Sequence, residues 1–235
     1  MLVAAAVCPC PPLLVPEVAG GAAAELDTAR DACADALGVL AAARPDRLVV
    51  VGPAGRDASY PEGSGGSFRG FGVDLDVRLG RGGKGDTAVR LPASLAVAAW
   101  LLDRTGWADA PMEGLGVAEP TTVERCTRVG RQVAGAAERV ALLVMGDASA
   151  CRTLKAPGYL DDRAAGFDAR VARALADADV EALKTLDTGL ARELQASGRA
   201  SWQILAGAAE GTGLRGTLLY DDAPYGVGYL VAAWS

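Results

Sequence analysis

The chain has 235 residues, 51% of them hydrophobic, with a formal net charge of −6. That supplies material for a buried core, argues against global disorder, and lacks the basic balance that a nucleic-acid footprint needs. It contains no histidine, which excludes a Ser-His-Asp triad, a Cys-His pair, an HExxH zinc site and a two-His-one-carboxylate iron site, leaving Cys, Asp, Glu, Lys, Tyr or backbone groups to carry any chemistry.

Leu2–Cys8 is a short apolar run without clean alternation, as in a strand buried on both faces. It superficially resembles a signal peptide ending at a lipid-modified cysteine. It lacks a positive n-region, however, and meets Pro9 at once, so a first buried strand is expected instead. Pro9, Pro11, Pro12 and Pro16 predict a rigid extended loop. Gly20–Ala43 reads as one long helix with Leu26, Ala29, Cys33, Leu37 and Leu40 on its apolar stripe. Arg47–Gly52 is a second buried strand, and Arg56–Gly70 a loop rich in Gly and Ser. In Phe71–Leu79 the apolar residues alternate with Gly72, Asp74, Asp76 and Arg78, the period of a half-exposed strand.

Pro92–Arg104 is a helix with proline in its first turn, and Leu115–Ala118 a short strand. Thr122–Glu138 is a helix and Val140–Met145 a third buried strand. Helices follow near Asp162–Asp177, Val180–Thr185, Gly189–Ser197 and Ser201–Glu210, and strands Gly216–Tyr220 and Tyr225–Ala233 close the chain. Strands alternating with helices predict a three-layer α/β/α sandwich around a mixed, mostly parallel sheet, formed by a single domain spanning residues 1–235. The turn at Asp221–Pro224 makes at least one pair antiparallel.

Five scattered cysteines, Cys8, Cys10, Cys33, Cys126 and Cys151, read as reduced intracellular thiols rather than a disulfide framework. No apolar stretch reaches the roughly 18 residues that span a bilayer, so a cytoplasmic protein without membrane contact is expected. Gly80-Arg81-Gly82-Gly83-Lys84-Gly85 fits the letters GxGxxG, but a half-exposed strand precedes it and no helix opens after it, so it reads as a hairpin-like loop. Arg78 stands where a phosphate loop needs its first glycine. Cys8-Pro9-Cys10 is taken to point its thiols to opposite sides, which disfavours a shared metal or a disulfide and leaves Cys10 to line a cavity.

Four strand-ending segments gather special residues: Pro9-Cys10-Pro11-Pro12-Leu13-Leu14, Pro53-Ala54-Gly55, Gly146-Asp147-Ala148-Ser149-Ala150, and Tyr220 through Tyr229. Ligands of open α/β sheets bind outside the carboxyl ends of strands. Together with Ala156-Pro157-Gly158-Tyr159 and Phe167-Asp168, these segments resemble the catalytic chains of the class III extradiol ring-cleavage dioxygenases, a superfamily that includes MEMO-like proteins. The resemblance covers roughly residues 1–55 and 140–233. It implies a ferrous iron held by two histidines and a glutamate, with a further histidine as acid–base. Here the metal-histidine positions fall on Cys10 and Ala54, the glutamate on Asp222 (or Asp221), and the acid–base position on Ala150.

Two alanines offer no donor atom, so the resemblance comes with the catalytic centre removed: no metal and no cofactor are expected. The expected function is a non-catalytic, metal-free scaffold that binds a small molecule or a protein in a residual pocket lined by Cys10, Ala54, Asp147, Ser149, Asp222 and Tyr225. A homo-oligomer is compatible with this, and nucleic acid is not an expected partner. Two alternatives stand beside it. One is a rebuilt enzyme with Cys10 as nucleophile, activated by Arg152 or Lys155, and Asp147 or Asp222 moving protons. The other is a true ring-opening dioxygenase with unorthodox ligands, drawing on Cys8, Cys151, Asp147 or the unused Asp, or on histidines lent by a partner chain. Tyr159 and Tyr225 are expected to pack.

Overall fold

The computed structural model describes residues 1–81 and 90–235. The GxGxxG-like run lies outside the described residues from Gly82 onward.

The main sheet has seven strands in the order β3-β6-β2-β7-β1-β9-β8. These are β1 (Leu2–Cys8), β2 (Arg47–Ala54), β3 (Ala58–Pro61), β6 (Met112–Ala118), β7 (Val140–Met145), β8 (Gly216–Asp222) and β9 (Tyr229–Trp234). The central strands β6, β2, β7 and β1 pair in parallel, β8 runs in their direction, and β3 and β9 run against it. A small antiparallel pair, β4 (Gly65–Ser67) with β5 (Asp76–Arg78), stands apart.

Helices cover both faces, giving the three layers that the alternation of elements predicts. On one face lie α2 (Asp27–Ala42) and α3 (Ala93–Arg104). On the other lie α4 (Val123–Ala134), α5 (Ala164–Ala176), the short α6 (Val180–Lys184) and α7 (Thr188–Glu193), and α8 (Arg199–Ala208). Successive residues of the central strands serve the two cores in turn. In β7, Ala141, Leu143 and Met145 face α2 and α3, while Val140, Leu142 and Val144 face the other helices. All six are buried, which is why these runs are continuously apolar in the sequence. Among the described residues no helix is long and apolar enough to cross a membrane.

Several boundaries differ from expectation for local reasons. The helix predicted over Gly20–Ala43 begins only at Asp27. Gly20, at φ +55°, and Gly21 favour a 3₁₀ segment over Gly20–Leu26 instead. The predicted stripe is nonetheless the buried one: Leu26, Ala29, Cys33, Leu37 and Leu40 all pack inward. The proline loop contains a 3₁₀ turn at Pro12–Leu14 and the one-turn α1 (Pro16–Ala19), each with proline at the start, where no N–H is needed.

The loop expected over Arg56–Gly70 holds β3, which extends the sheet edge, and β4. The strand expected over Phe71–Leu79 shrinks to β5, because Phe71 sits in a 3₁₀ turn closed by Gly72 at φ +83°. Val73, Leu75 and Val77 still face the core side while Asp74, Asp76 and Arg78 face out. The period of two thus gives the facing of the side chains over the whole run, although only Asp76–Arg78 joins a hydrogen-bonded ladder. The last strand starts at Tyr229 rather than Tyr225, since the preceding turn passes through Gly226 at φ +74°.

Candidate functional site

The carboxyl ends of β1, β2, β6, β7 and β8 lie along one edge of the sheet, and the special segments follow there. The segment after β7 ties them together. Gly146 donates its N–H to Cys8 O (3.0 Å), continuing the β1–β7 pairing by one rung. A Cβ on Gly146 would collide with the Gly198 backbone, so glycine allows the turn before α8 to close on the end of β7. Asp147 sits at the junction. Its Oδ1 accepts the Cys10 N–H at 2.8 Å, its N–H donates to Ser197 Oγ at 3.1 Å, and its C=O accepts the Gly198 N–H at 2.9 Å. Burial pushes its carboxyl up to about 6, with the Cys10 N–H opposing the shift. The residue as a whole is only partly buried.

Cys10 is 7% exposed. Burial pushes its thiol well above the ordinary value, and the Asp147 charge adds to the shift against a smaller opposing contribution from Ser197. It is therefore a neutral thiol at pH 7, the reverse of what an activated nucleophile needs. Arg152, expected as its activator, is engaged elsewhere: its Nη1 donates to Asp168 Oδ2 at 3.0 Å. Asp168 also accepts the Ser149 N–H and Ser149 Oγ–H, each at 2.8 Å. Ser149 and Asp168 are fully buried, and Gly228 leaves Asp168 the space that a Cβ would fill. This network anchors the β7 exit to α5. Ser149 therefore holds the loop in shape, with both its N–H and its hydroxyl committed to Asp168.

The remaining expected site residues do not converge. Ala54 ends β2 in register with Ala118, partly buried, a methyl with no donor atom. Ala150 is buried, with its N–H donating to Leu194 O. Asp222 ends β8, exposed, and accepts the N–H of the adjacent Ala223. With β9 between β8 and β1, it stands roughly 10 Å from the β1 line at ordinary strand spacing, and Asp221 is exposed beside it. Tyr225 is half-buried against the α2 side, near Glu25 and Arg30, with its hydroxyl raised mainly by burial. Tyr159, expected to pack, is 63% exposed at φ +62°.

The thiols correct one geometric expectation. Cys8 and Cys10 do not point to opposite sides; both belong to the core beneath α2 and α3. Residues i and i+2 of an extended segment share a face. Cys33 of α2 lies beside Cys8, whose proximity and the burial of the pair push the Cys33 thiol up. Cys151 lies in the opposite core, its Sγ donating to Gly158 O and Leu194 O at 3.5 Å, so it cannot join Cys8 around one ion.

Sequence reasoning missed Ser197 as a member of this edge, and it placed Tyr229 there only as the end of the Tyr220–Tyr229 run, without a role. Tyr229 is buried at the start of β9, its hydroxyl raised first by burial and then by the Asp147 charge. Ser197 meets Asp147 from a segment distant in sequence and lies in no recognisable spacing. A cleft away from the motif residues was missed as well. It measures about 820 Å³ and opens between the β6–α4 connection (Glu119 to Glu124) and the α7–α8 region. Of the residues around Asp147 only Ser197 lines it, so cleft and motif residues meet at that one side chain.

A donor set for iron is not assembled at the positions that the resemblance assigns. They present a buried neutral thiol, one methyl group and an exposed carboxylate two strands away, and the acid–base position is a second methyl. Among the described residues no three His, Cys, Asp or Glu side chains converge closely enough to hold a metal ion.

No known protein family matches the chain, and no curated protein matches it. Among solved structures, the uncharacterized protein JW3007 from Escherichia coli K12 matches 99% of this chain over 100% of its own length. The two are 13% identical, with a TM-score of 0.50. At that identity the likeness is one of fold alone.

Proposed function

We propose that this chain is a metal-free, non-catalytic relative of the class III extradiol dioxygenases, a cytoplasmic scaffold that binds a small molecule at the strand-end edge of its sheet. The observation that carries the reading is the state of Cys10. At the position where the resemblance expects a metal ligand stands a thiol that is buried, neutral and turned into the α2-side core, while its backbone N–H is committed to Asp147. The methyl groups of Ala54 and Ala150 and the distant Asp222 add nothing that would hold iron beside it. What remains is a hydrogen-bonded edge with one partly buried carboxylate, read here as a binding surface rather than a redox centre. Five free, buried cysteines suit a reducing compartment.

The reading is tested by metal analysis of protein purified without chelator, together with oxygen uptake using catechol and added ferrous iron. The expected outcome is metal far below one equivalent and uptake no faster than without protein. Near-stoichiometric iron or zinc, or protein-dependent uptake, overturns it.

One observation favours a second reading, an enzyme with rebuilt chemistry. A carboxyl group held at about 6 is poised to exchange protons near neutral pH. In that reading Asp147 is the working group and Cys10 only positions it.

A further inference from the structure

Of the six large hydrophobic side chains that stand exposed among the described residues, three fall within the segment 154–160. Leu154 and Tyr159 are each 63% exposed and Leu160 44%. The segment is tightly pinned. Arg152 donates its N–H to Gly226 O (3.0 Å), Gly158 to Ala150 O (2.9 Å) and Asp161 to Cys151 O (3.0 Å), while Ala156 closes a turn on Thr153 O (3.1 Å). Ala156 is buried against Gly226, and a Cβ on Gly158 would strike Cys151 Sγ. The small residues thus hold the backbone down while the large apolar ones are presented to solvent.

Tyr159 carries the strain of this arrangement. Its φ of +62° suits Gly or Asn and is unfavourable for a bulky residue. Nothing within the chain offsets that strain, because the ring lies mostly in water; covering the ring would. The neighbouring charges select the cover. Lys155 and Asp162 are exposed, and neither makes an ion pair among the described residues, while Arg163 is engaged by Asp161 and Glu193. One free cation and one free anion therefore flank the apolar side chains. A partner surface of a single sign would leave one of them facing its like. A second copy turned about a two-fold axis does not, since a self-complementary patch sets residue i against j and j against i.

We propose that the segment 154–162 forms the centre of a two-fold interface between two copies of this chain. Leu154, Tyr159 and Leu160 meet their counterparts, and each Lys155 pairs with the partner's Asp162. This interface stands apart from the reading of Cys10 above and holds whether or not that reading does. It lies on the connection from β7 to α5, so the Arg152–Asp168 pair anchors it to the chain behind.

The test is sedimentation velocity of the full chain between about 1 and 200 μM, a range in which moderate interfaces assemble, with thermal melts of each variant at the dilute end. The wild type should pass from monomer to dimer. Tyr159→Gly removes the ring and relieves the positive φ. It should weaken the dimer at least about tenfold, as loss of an aromatic anchor does, while melting no lower than the wild type. Leu154→Glu, also at an exposed position, tests the apolar centre independently and should do the same to association. Lys155→Glu and Asp162→Lys should each weaken the dimer about tenfold, because each sets like charges face to face at two symmetric places. The double variant swaps the two charges and should recover the wild-type behaviour. A wild type still monomeric at about 200 μM overturns the proposal. So does a dimer that Tyr159→Gly and Leu154→Glu leave intact, which would place the contact elsewhere, or a double variant that associates no better than either single one.

Discussion

The Cys10 N–H and the Asp147 carboxylate are 2.8 Å apart, so the residue that follows β7 also fixes the exit of β1. The same contact opposes the burial that lifts Asp147 from 3.8 to about 6, and the net shift has a definite consequence for stability. Between those two values the folded chain holds a proton that the unfolded chain has released, so stability falls as pH rises through this window. The penalty is absent below the unfolded value and complete above about 6. Its ceiling is about 3 kcal/mol, and the partial exposure of Asp147 keeps it below that. Asp147→Asn preserves an acceptor for Cys10 and removes the titration. In urea denaturation at a series of pH values, the variant should gain on the wild type as pH rises across the window, then run parallel to it. A constant difference would show that Asp147 is not held above its ordinary value.

The Ser149–Asp168–Arg152 network predicts a graded series. Asp168→Ala removes the acceptor for three donors, two of them on a fully buried residue. It should cost about 3 kcal/mol, because donors left unsatisfied carry the full desolvation penalty. Ser149→Ala removes only the hydroxyl and should cost about 1 kcal/mol. Arg152, partly exposed, can turn to water, so Arg152→Ala should cost the least. Equal losses across the three variants, by urea denaturation, would mean that the network is not organised around Asp168.

How much of this was legible in the sequence follows from what each signal depends on. The buried strands Leu2–Cys8, Arg47–Gly52 and Val140–Met145 are readable because burial on both faces demands continuous apolar runs, and the layer architecture follows from their alternation with helices. The Phe71–Leu79 pattern records which side chains face inward, a property shared by a strand and by a pinned turn, so the ladder itself was not readable. At the edge, Asp147 stands out in its Gly-Asp-Ala-Ser segment. Ser197 reaches it only because the turn before α8 closes on the end of β7, which leaves no local trace. The pairing of Glu119 with Arg199 spans 80 residues and is likewise a product of packing alone.

The helices α4 and α8 approach so closely that glycine is required on both sides. A Cβ on Gly130 would collide with the Ile204 carbonyl and lie 2.6 Å from Ala208 N, and one on Gly207 would strike the Thr127 backbone. Because the obstructing atoms are helix backbone, they cannot turn aside. Gly130→Ala should therefore destabilise by about 3 kcal/mol, as overpacking does in a rigid core. Gly38, in the middle of α2, has no neighbour within 4 Å of its would-be Cβ. Gly38→Ala should stabilise by about 0.5–1 kcal/mol through helix propensity alone. Thermal melts of the two variants should move in opposite directions; a neutral Gly130→Ala would mean that the helices can separate.

The burial of all five thiols gives the most direct chemical prediction. Cys8, Cys10, Cys33, Cys126 and Cys151 are free, and each is buried. Burial is also the leading cause that raises Cys10, and it lifts Cys126 to about 11. A thiol reagent such as dithionitrobenzoate requires both thiolate and access. At pH 7 the native chain should therefore react at every site at least about tenfold more slowly than free cysteine, since each thiol is buried away from the reagent. In denaturant five equivalents should label at once, matching the five cysteines of the chain. A single equivalent labelling rapidly in the native state, and lost in Cys10→Ser, would assign an activated thiol to the β1 exit. It would move the balance from a binding scaffold toward a rebuilt enzyme. Rapid labelling that persists in Cys10→Ser would instead locate an opening of one of the two cores, at Cys8 or Cys33 on the α2 side or at Cys126 or Cys151 on the other.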